Sequence, residues 1–221
     1  MKLLIEAITK FACGLVLVGL LIFLPAGTLD YGYGWLFIGL LFVPMLIAGF
    51  VMLAKSPEFL KKRLDAKEKQ GTQKGVVAFS GLMFIAGFVV AGLDYRFGWS
   101  QMPAWVVVAA SLLFLSAYAL YAEVMRENAY LSRTIRVEEG QTVVDTGLYG
   151  IVRHPMYAVT ILLFLMMPLV LGSWYALIVF AFYPAIIIVR LKDEEDLLTK
   201  ELPGYADYKQ KVKYRIIPFV W

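Results

Sequence analysis

Gly147-Leu148-Tyr149-Gly150-Ile151-Val152-Arg153-His154-Pro155-Met156-Tyr157 opens the stretch that decides how this chain folds, and Arg190-Leu191-Lys192-Asp193-Glu194-Glu195 closes it. Between these polar clusters, residues 156–189 carry no charge. One helix needs about 20 apolar residues to cross a bilayer, and at about 1.5 Å of rise per residue this run would make a rod near 50 Å long. The run is therefore expected to fold back on itself, with Gly172-Ser173 at its midpoint and legs of about 16 or 17 residues. His154 and Arg190 then lie nearly equally far from the turn. The hairpin returns both polar clusters to one face of the membrane at similar depth, and that face is where the chemistry is expected.

Composition outward from the hairpin agrees. The chain of 221 residues is 61% hydrophobic and 17% charged, with a mean hydropathy of +0.72. Soluble domains carry about a quarter charged residues, so this is a polytopic membrane protein. The fold class expected is all-α, a helical bundle of about six transmembrane helices with the last two as the hairpin. Residues 1–122 would hold four spans with a basic loop over 55–75, and residues 123–221 a polar segment, the hairpin 156–190 and a tail. The formal charge of +4 reflects basic residues that flank spans, so no nucleic acid partner is expected. Cys13 stands alone and can form no intrachain disulfide.

Ile5 to Leu24 reads as the first span, and Trp35 to Ala54 as the second, kinked at Pro44. Tyr31, Tyr33 and Trp35 are placed as interfacial anchors. In the segment that follows, Ser56-Pro57-Glu58 has the form of a helix start. Phe59, Leu60 and Leu64 give the Lys61-Lys62-Arg63 turn one apolar side, as in a helix lying in the interface. Residues 55–74 hold seven Lys or Arg against three acids, which marks them as cytoplasmic. Val76 to Leu93 and Pro103 to Ala122 are the third and fourth spans, joined by a loop whose one basic residue is Arg96. Both termini are thus expected in the cytoplasm, and the short loops without sorting signals point to a bacterial inner membrane. Glu138-Glu139-Gly140 reads as a turn. The second hairpin leg should continue as a helix through Leu202 and stop at Pro203-Gly204. The tail from Tyr205 to Trp221 alternates aromatic and basic residues, which suits packing along lipid headgroups.

Two groups of residues could carry chemistry. His154 is the one histidine in the chain, and with no second histidine or usable cysteine beside it a metal site is not expected. Pro155 fixes a first helical turn, so Arg153 and His154 sit at a helix amino terminus, where free N–H groups and the dipole favour an anion. Tyr149 and Tyr157 flank it, and aromatic faces can hold a cationic ligand. On the other leg, Arg190 and Glu194 share a helix face, with Glu195 one step round. Spacing alone allows an ordinary ion pair there. It equally allows an arginine that grips a carboxylate or phosphate beside an accepting carboxylate.

Tyr149…Arg153-His154-Pro155-x-Tyr157, followed after the hairpin by Arg190-x-x-x-Glu194-Glu195-x-x-Leu198 and Pro203-Gly204-Tyr205-x-x-Tyr208, resembles the signature of the isoprenylcysteine carboxyl methyltransferases. Their wider integral-membrane relatives include phospholipid N-methyltransferases. The resemblance covers about the last 90 residues and implies that 123–221 is a cofactor-binding catalytic region with a cytoplasmic pocket for S-adenosylmethionine. It further implies that His154, Pro155, Met156 and Tyr157 line the cofactor with Tyr149 against it. Gln141 and Val144 would add contacts, Thr134 would stand at its edge, Glu194 would bind it, and Arg190 would face the substrate. A lipidic or prenylated substrate would come from the surrounding membrane lipids.

Methyl transfer needs the nucleophile and the methyl carbon aligned and water kept out. A carboxylate acceptor is ionised at neutral pH and needs no base; Arg190 would orient it. An amine or phenol must lose a proton, and Glu195 is the candidate acceptor. Two other readings stand beside this one. A membrane reductase of sterol-reductase type would bind NADPH in the same cleft, and a non-enzymatic carrier would need ionisable groups at mid-membrane, where the spans hold almost none.

Overall fold

The computed structural model describes residues 1–64, 71–131, 135 and 137–221, apart from the side chains of 71 and 72. Among these residues, five apolar helical segments are long enough to span a membrane. The first two are α1 (Lys2–Ala26) and α2 (Gly32–Lys55). A short α3 (Pro57–Leu64) leads to α4 (Gly71–Phe97) and α5 (Ala104–Glu127). A 3₁₀ turn at Gly147–Gly150 precedes α6 (Pro155–Val170), α7 (Trp174–Phe180), α8 (Tyr183–Glu201) and α9 (Tyr205–Lys211). Thr134, expected at a cofactor edge, lies outside the described residues.

The hairpin turns where expected, but its two legs differ. Gly172 adopts a φ of 75°, and Ser173 caps α7 by accepting the Ala176 N–H at 3.0 Å. The first leg, α6, is 16 residues long and rises about 24 Å, short of a full bilayer core. The second leg is interrupted between α7 and α8. Pro184 sits in the first turn of α8, where its missing N–H breaks the hydrogen-bond ladder from the preceding turn. Among the described residues there are thus six apolar segments, five of spanning length and α6 shorter.

Packing is tightest where side chains are smallest. A Cβ added to Gly92 of α4 would stand 2.4 Å from the Ile22 carbonyl oxygen of α1, and one on Gly87 would stand 2.3 Å from the Phe180 ring. Small residues at such crossings let helix backbones approach, which is how helices associate in lipid. In the centre Phe84 meets Phe164 and Phe180 edge to face, and Phe88 and Tyr183 pack on these rings at tilted angles. Leu17, Val16, Ile47 and Leu112 stay exposed, as lipid-facing residues do.

Tyr31 is not the interfacial anchor that the sequence implied. It is buried, its hydroxyl donates to the Leu171 carbonyl at 2.5 Å, and its ring stacks on Tyr95 at 4.1 Å. It ties the start of α2 to the hairpin turn. Trp35 is exposed and donates to the Leu29 carbonyl at 2.8 Å. The bundle therefore has a turn end, with Tyr31 and Gly172, and an opposite end with α3, the end of α5, the start of α6 and the end of α8. At that second end Leu60 of α3 is buried, and Lys10 donates to the Leu64 carbonyl at 2.8 Å.

Replacing Gly92 by leucine forces a side chain into the α1 backbone, and such overpacking costs about 1–3 kcal/mol. Thermal unfolding in detergent should show a clear drop for Gly92→Leu. Gly81→Leu on the same helix, where an added Cβ meets nothing within 4 Å, should leave the midpoint unchanged.

Candidate functional site

The first turn of α6 begins at Pro155, with His154 at the N-cap and Arg153 just outside. The backbone here is held by the chain's last stretch: the Arg153 N–H donates to the Tyr214 carbonyl at 2.9 Å, and the His154 N–H to the Arg215 carbonyl at 2.8 Å. The Arg153 guanidinium continues the same docking. Its Nη1 donates to the carbonyls of Val212 at 2.7 Å and Lys213 at 2.9 Å, and its Nε donates to Glu195 Oε1 at 2.7 Å.

Glu195 stands at the centre of this cluster and is 3% exposed. His154 Nε2 lies 3.3 Å from Oε1, so the tautomer with its proton on Nε2 donates there. Arg215 donates to Oε2 at 3.0 Å from the tail, and its guanidinium covers the Trp221 ring at 5.2 Å. The Tyr205 hydroxyl is 3.5 Å from His154 Nε2. Expected as a proton acceptor, Glu195 instead has both oxygens engaged by cationic or imidazole donors, and a proton on it would break the ion pairs that hold Arg153 and Arg215.

One turn along α6, Tyr157 stacks on His154 with ring centres 5.5 Å apart, and its hydroxyl donates to Glu194 of α8. Arg190 does not stop at the helical neighbour that spacing suggested. Its Nη1 donates to Gln73 Oε1 of α4 at 3.1 Å, and Gln73 Nε2 donates to Asp193 Oδ2 at 2.8 Å. Gln73 is fully buried, so α4 enters the site through one amide.

The 3₁₀ turn closes another side. Glu127, at the end of α5, accepts the Leu148 N–H at 2.9 and 3.1 Å, and a Cβ on Gly147 would fall 1.6 Å from its Oε1. With a φ of 53° as well, position 147 requires glycine. Tyr149 is buried behind this turn, and its carbonyl accepts the Tyr208 hydroxyl at 2.7 Å. Burial raises the Tyr149 and Tyr205 phenols above their ordinary range, and for Tyr205 the nearby Glu195 adds to the rise. Both remain O–H donors at neutral pH.

His154, Pro155, Tyr157, Arg190, Glu194 and Glu195 therefore come together, with half-buried Met156 beside them and Tyr149 behind. Val144 packs on the same core from its edge. Gln141 closes its own turn, accepting the Glu138 N–H on its side-chain oxygen at 2.8 Å. The tail departs most from expectation. Tyr205 and Tyr208 are buried, and residues 212–215 form a wall of the site where the sequence placed them along headgroups. Pro203-Gly204-Tyr205-x-x-Tyr208 was a signal for the first part of that wall. Arg215, Glu127 and Gln73 had none.

A hairpin that brings such a cluster to one end of a bundle of apolar helices makes this a polytopic helical membrane protein with a polar site at its boundary. Residues 102–200 match the model of the Isoprenylcysteine carboxyl methyltransferase (ICMT) family, so this region is similar to that family. It is 32% identical over 91 residues to Delta(14)-sterol reductase TM7SF2 of Mus musculus, covering 40% of this chain and 22% of that protein. It is 23% identical over 136 residues to the Delta(14)-sterol reductase of Methylotuvimicrobium alcaliphilum, covering 55% of this chain and 32% of that one. The chain thus spans a third or less of the length of either reductase. With YpbQ of Bacillus subtilis, an uncharacterized protein, it shares 25% identity over 165 residues, covering 74% of this chain and 95% of that protein.

Removing the centre of the cluster should be costly. Glu195→Ala leaves the buried Arg153 without its counter-ion, and breaking a buried pair from one side costs about 3–5 kcal/mol. Arg215→Ala removes a partner whose side chain is 34% exposed and should cost clearly less. Thermal midpoints of the two variants in one detergent should fall in that order.

Proposed function

We propose that this chain is an S-adenosylmethionine-dependent methyltransferase that acts at the membrane boundary on a lipidic acceptor. The observation that carries this reading is the pairing of Tyr157 with Glu194 across the hairpin, directly against His154. An aromatic face beside a carboxylate suits a positively charged sulfonium and its ammonium group, and a carboxylate can also accept from ribose hydroxyls. Polyanionic NADPH suits this donor set less well. Arg153 and Arg215 are already paired with Glu195, and Glu194 and Glu127 add negative charge nearby.

His154, Pro155, Met156, Tyr157 and Glu194 would hold the cofactor, with Tyr149, Gln141 and Val144 behind them. Bound there, it supplies an electrophilic methyl group. Arg190, fixed by Gln73, orients an acidic acceptor group, and an ionised carboxylate needs no base. Glu195 holds Arg153, His154 and the tail in place and takes no part in proton transfer. An apolar groove of about 350 Å³ between α4 and α8, lined by Val76, Phe79, Ile186 and Val189, begins one turn from Gln73 and gives a lipidic chain a path to Arg190. Lys61, Lys62 and Arg63 of α3 lie at this same end, which by the positive-inside rule makes it cytoplasmic, with both chain termini. The short loops support a bacterial inner membrane.

The second reading, a reductase of sterol-reductase type, is favoured by the two reductase relatives. Calorimetric titration of the detergent-purified protein with S-adenosylhomocysteine and with NADPH separates the two. Saturable binding of the first is expected, weakened about tenfold or more by His154→Ala and by Glu194→Ala and changed less than about twofold by Arg190→Ala. Binding of NADPH alone would make the protein a reductase.

A further inference from the structure

We propose that the turn end of the bundle, opposite the site described above, holds a second binding site, for an organic ammonium group, built from Asp94, Tyr31, Tyr33 and Tyr95. Asp94 lies near the end of α4 and is 2% exposed. Its Oδ1 accepts the Ser100 N–H at 2.7 Å, and its Oδ2 accepts the hydroxyls of Ser100 and of Ser173, the latter at 2.5 Å. All three donors are neutral. Among the described residues no cationic side chain pairs with this carboxylate. The nearest basic residue in sequence, Arg96, instead lies against Gly27 and the Phe97 ring.

A carboxylate buried without a counter-ion is costly even when hydrogen-bonded, because neutral donors solvate its charge without cancelling it. Asp94 also lines a cavity of about 240 Å³ together with Tyr31, Tyr33 and Tyr95. Tyr31 and Tyr95 stack on each other, so the rings open to a guest are those of the partly exposed Tyr33 and Tyr95, and such rings attract cations most strongly where water is scarce. Among the described residues Oδ1 has one donor, the Ser100 N–H, and room for another. The cavity is below the roughly 300–1,000 Å³ of pockets for drug-sized ligands, so its guest is the size of a headgroup amine. Trp99, Trp174 and Tyr175 are exposed around this end, at the level where aromatic residues meet lipid headgroups. The guest chemistry is a primary or quaternary ammonium, carried either by a lipid such as phosphatidylethanolamine or by a free amine.

The hydrogen bonds of Asp94 also tie the loop after α4 to the hairpin turn, and a purely structural role would stop there. The two are separated by native mass spectrometry of the detergent-purified protein with equal amounts of phosphatidylethanolamine and phosphatidylglycerol. Calorimetric titration with ethanolamine and with tetramethylammonium chloride completes the test. The wild type should retain phosphatidylethanolamine about fivefold or more over phosphatidylglycerol, and Asp94→Asn should lose the preference while remaining monodisperse. Saturable binding of a free amine without a lipid preference would also support the site and identify a soluble source. Equal retention of the two lipids with no amine binding would overturn the proposal, as would an unchanged preference in Asp94→Asn. Should Asp94→Asn fail to fold, Tyr33→Leu decides: it keeps the carboxylate, removes a ring at the cavity wall, and should weaken binding of whichever ammonium the wild type takes. Unchanged binding in Tyr33→Leu would then overturn the proposal.

Discussion

The carboxylate of Glu195 is reached by donors from two other stretches of the chain: Arg153 and His154 from just before α6, and Arg215 from the tail. Two apolar legs of a hairpin have little to fix their register in lipid, because one aliphatic contact resembles the next. A buried guanidinium–carboxylate pair does have a preferred geometry, and it is costly when half made. Arg153 is held on one side by Glu195 and on the other by the Val212 and Lys213 carbonyls, so the hairpin, the 3₁₀ turn and the tail are fixed together.

Everything at the working face depends on that clamp. With His154 held against Glu195, Tyr157 lies one turn away and its hydroxyl meets Glu194. The next turn of α8 back toward the membrane offers Arg190, and the buried Gln73 amide holds it while also binding Asp193. The site is thus assembled from α4, α6, α8 and the tail, with Glu127 of α5 bracing the turn that carries Tyr149. Its chemistry is divided between an inner layer whose charges are paired and an outer layer of one phenol, one carboxylate and one guanidinium.

The opposite end uses the same materials differently. Tyr31 and Ser173 fasten the hairpin turn to α2 and α4, and Asp94 accepts from neutral groups alone. Among the described residues, the contrast between a carboxylate ringed by cations and one with none is what separates the two ends chemically.

Much of this was legible in the chain. A charge-free run of nearly twice a span's length, with Gly172-Ser173 at its middle, required a hairpin, and the hairpin required Arg153-His154 and Glu194-Glu195 to share a face. Pro57 and Pro203-Gly204 marked where α3 starts and α8 stops, because local backbone chemistry sets those boundaries. The sequence could not decide between neighbours on a helix: Glu194 and Glu195 differ by one step of rotation, yet one meets Tyr157 and the other is buried among cations. Nor could it place the tail, since alternating aromatic and basic residues suit headgroups as well as a protein wall, and Arg153 and Val212 are 59 positions apart. By itself, then, the sequence determined the membrane class, the hairpin and the residues that face each other across it, because hydropathy, proline and glycine act locally. The pairing of charges, the entry of Gln73 into the site and the burial of Tyr31 were decided by tertiary structure alone, because each depends on which distant side chain is near enough to share a hydrogen bond.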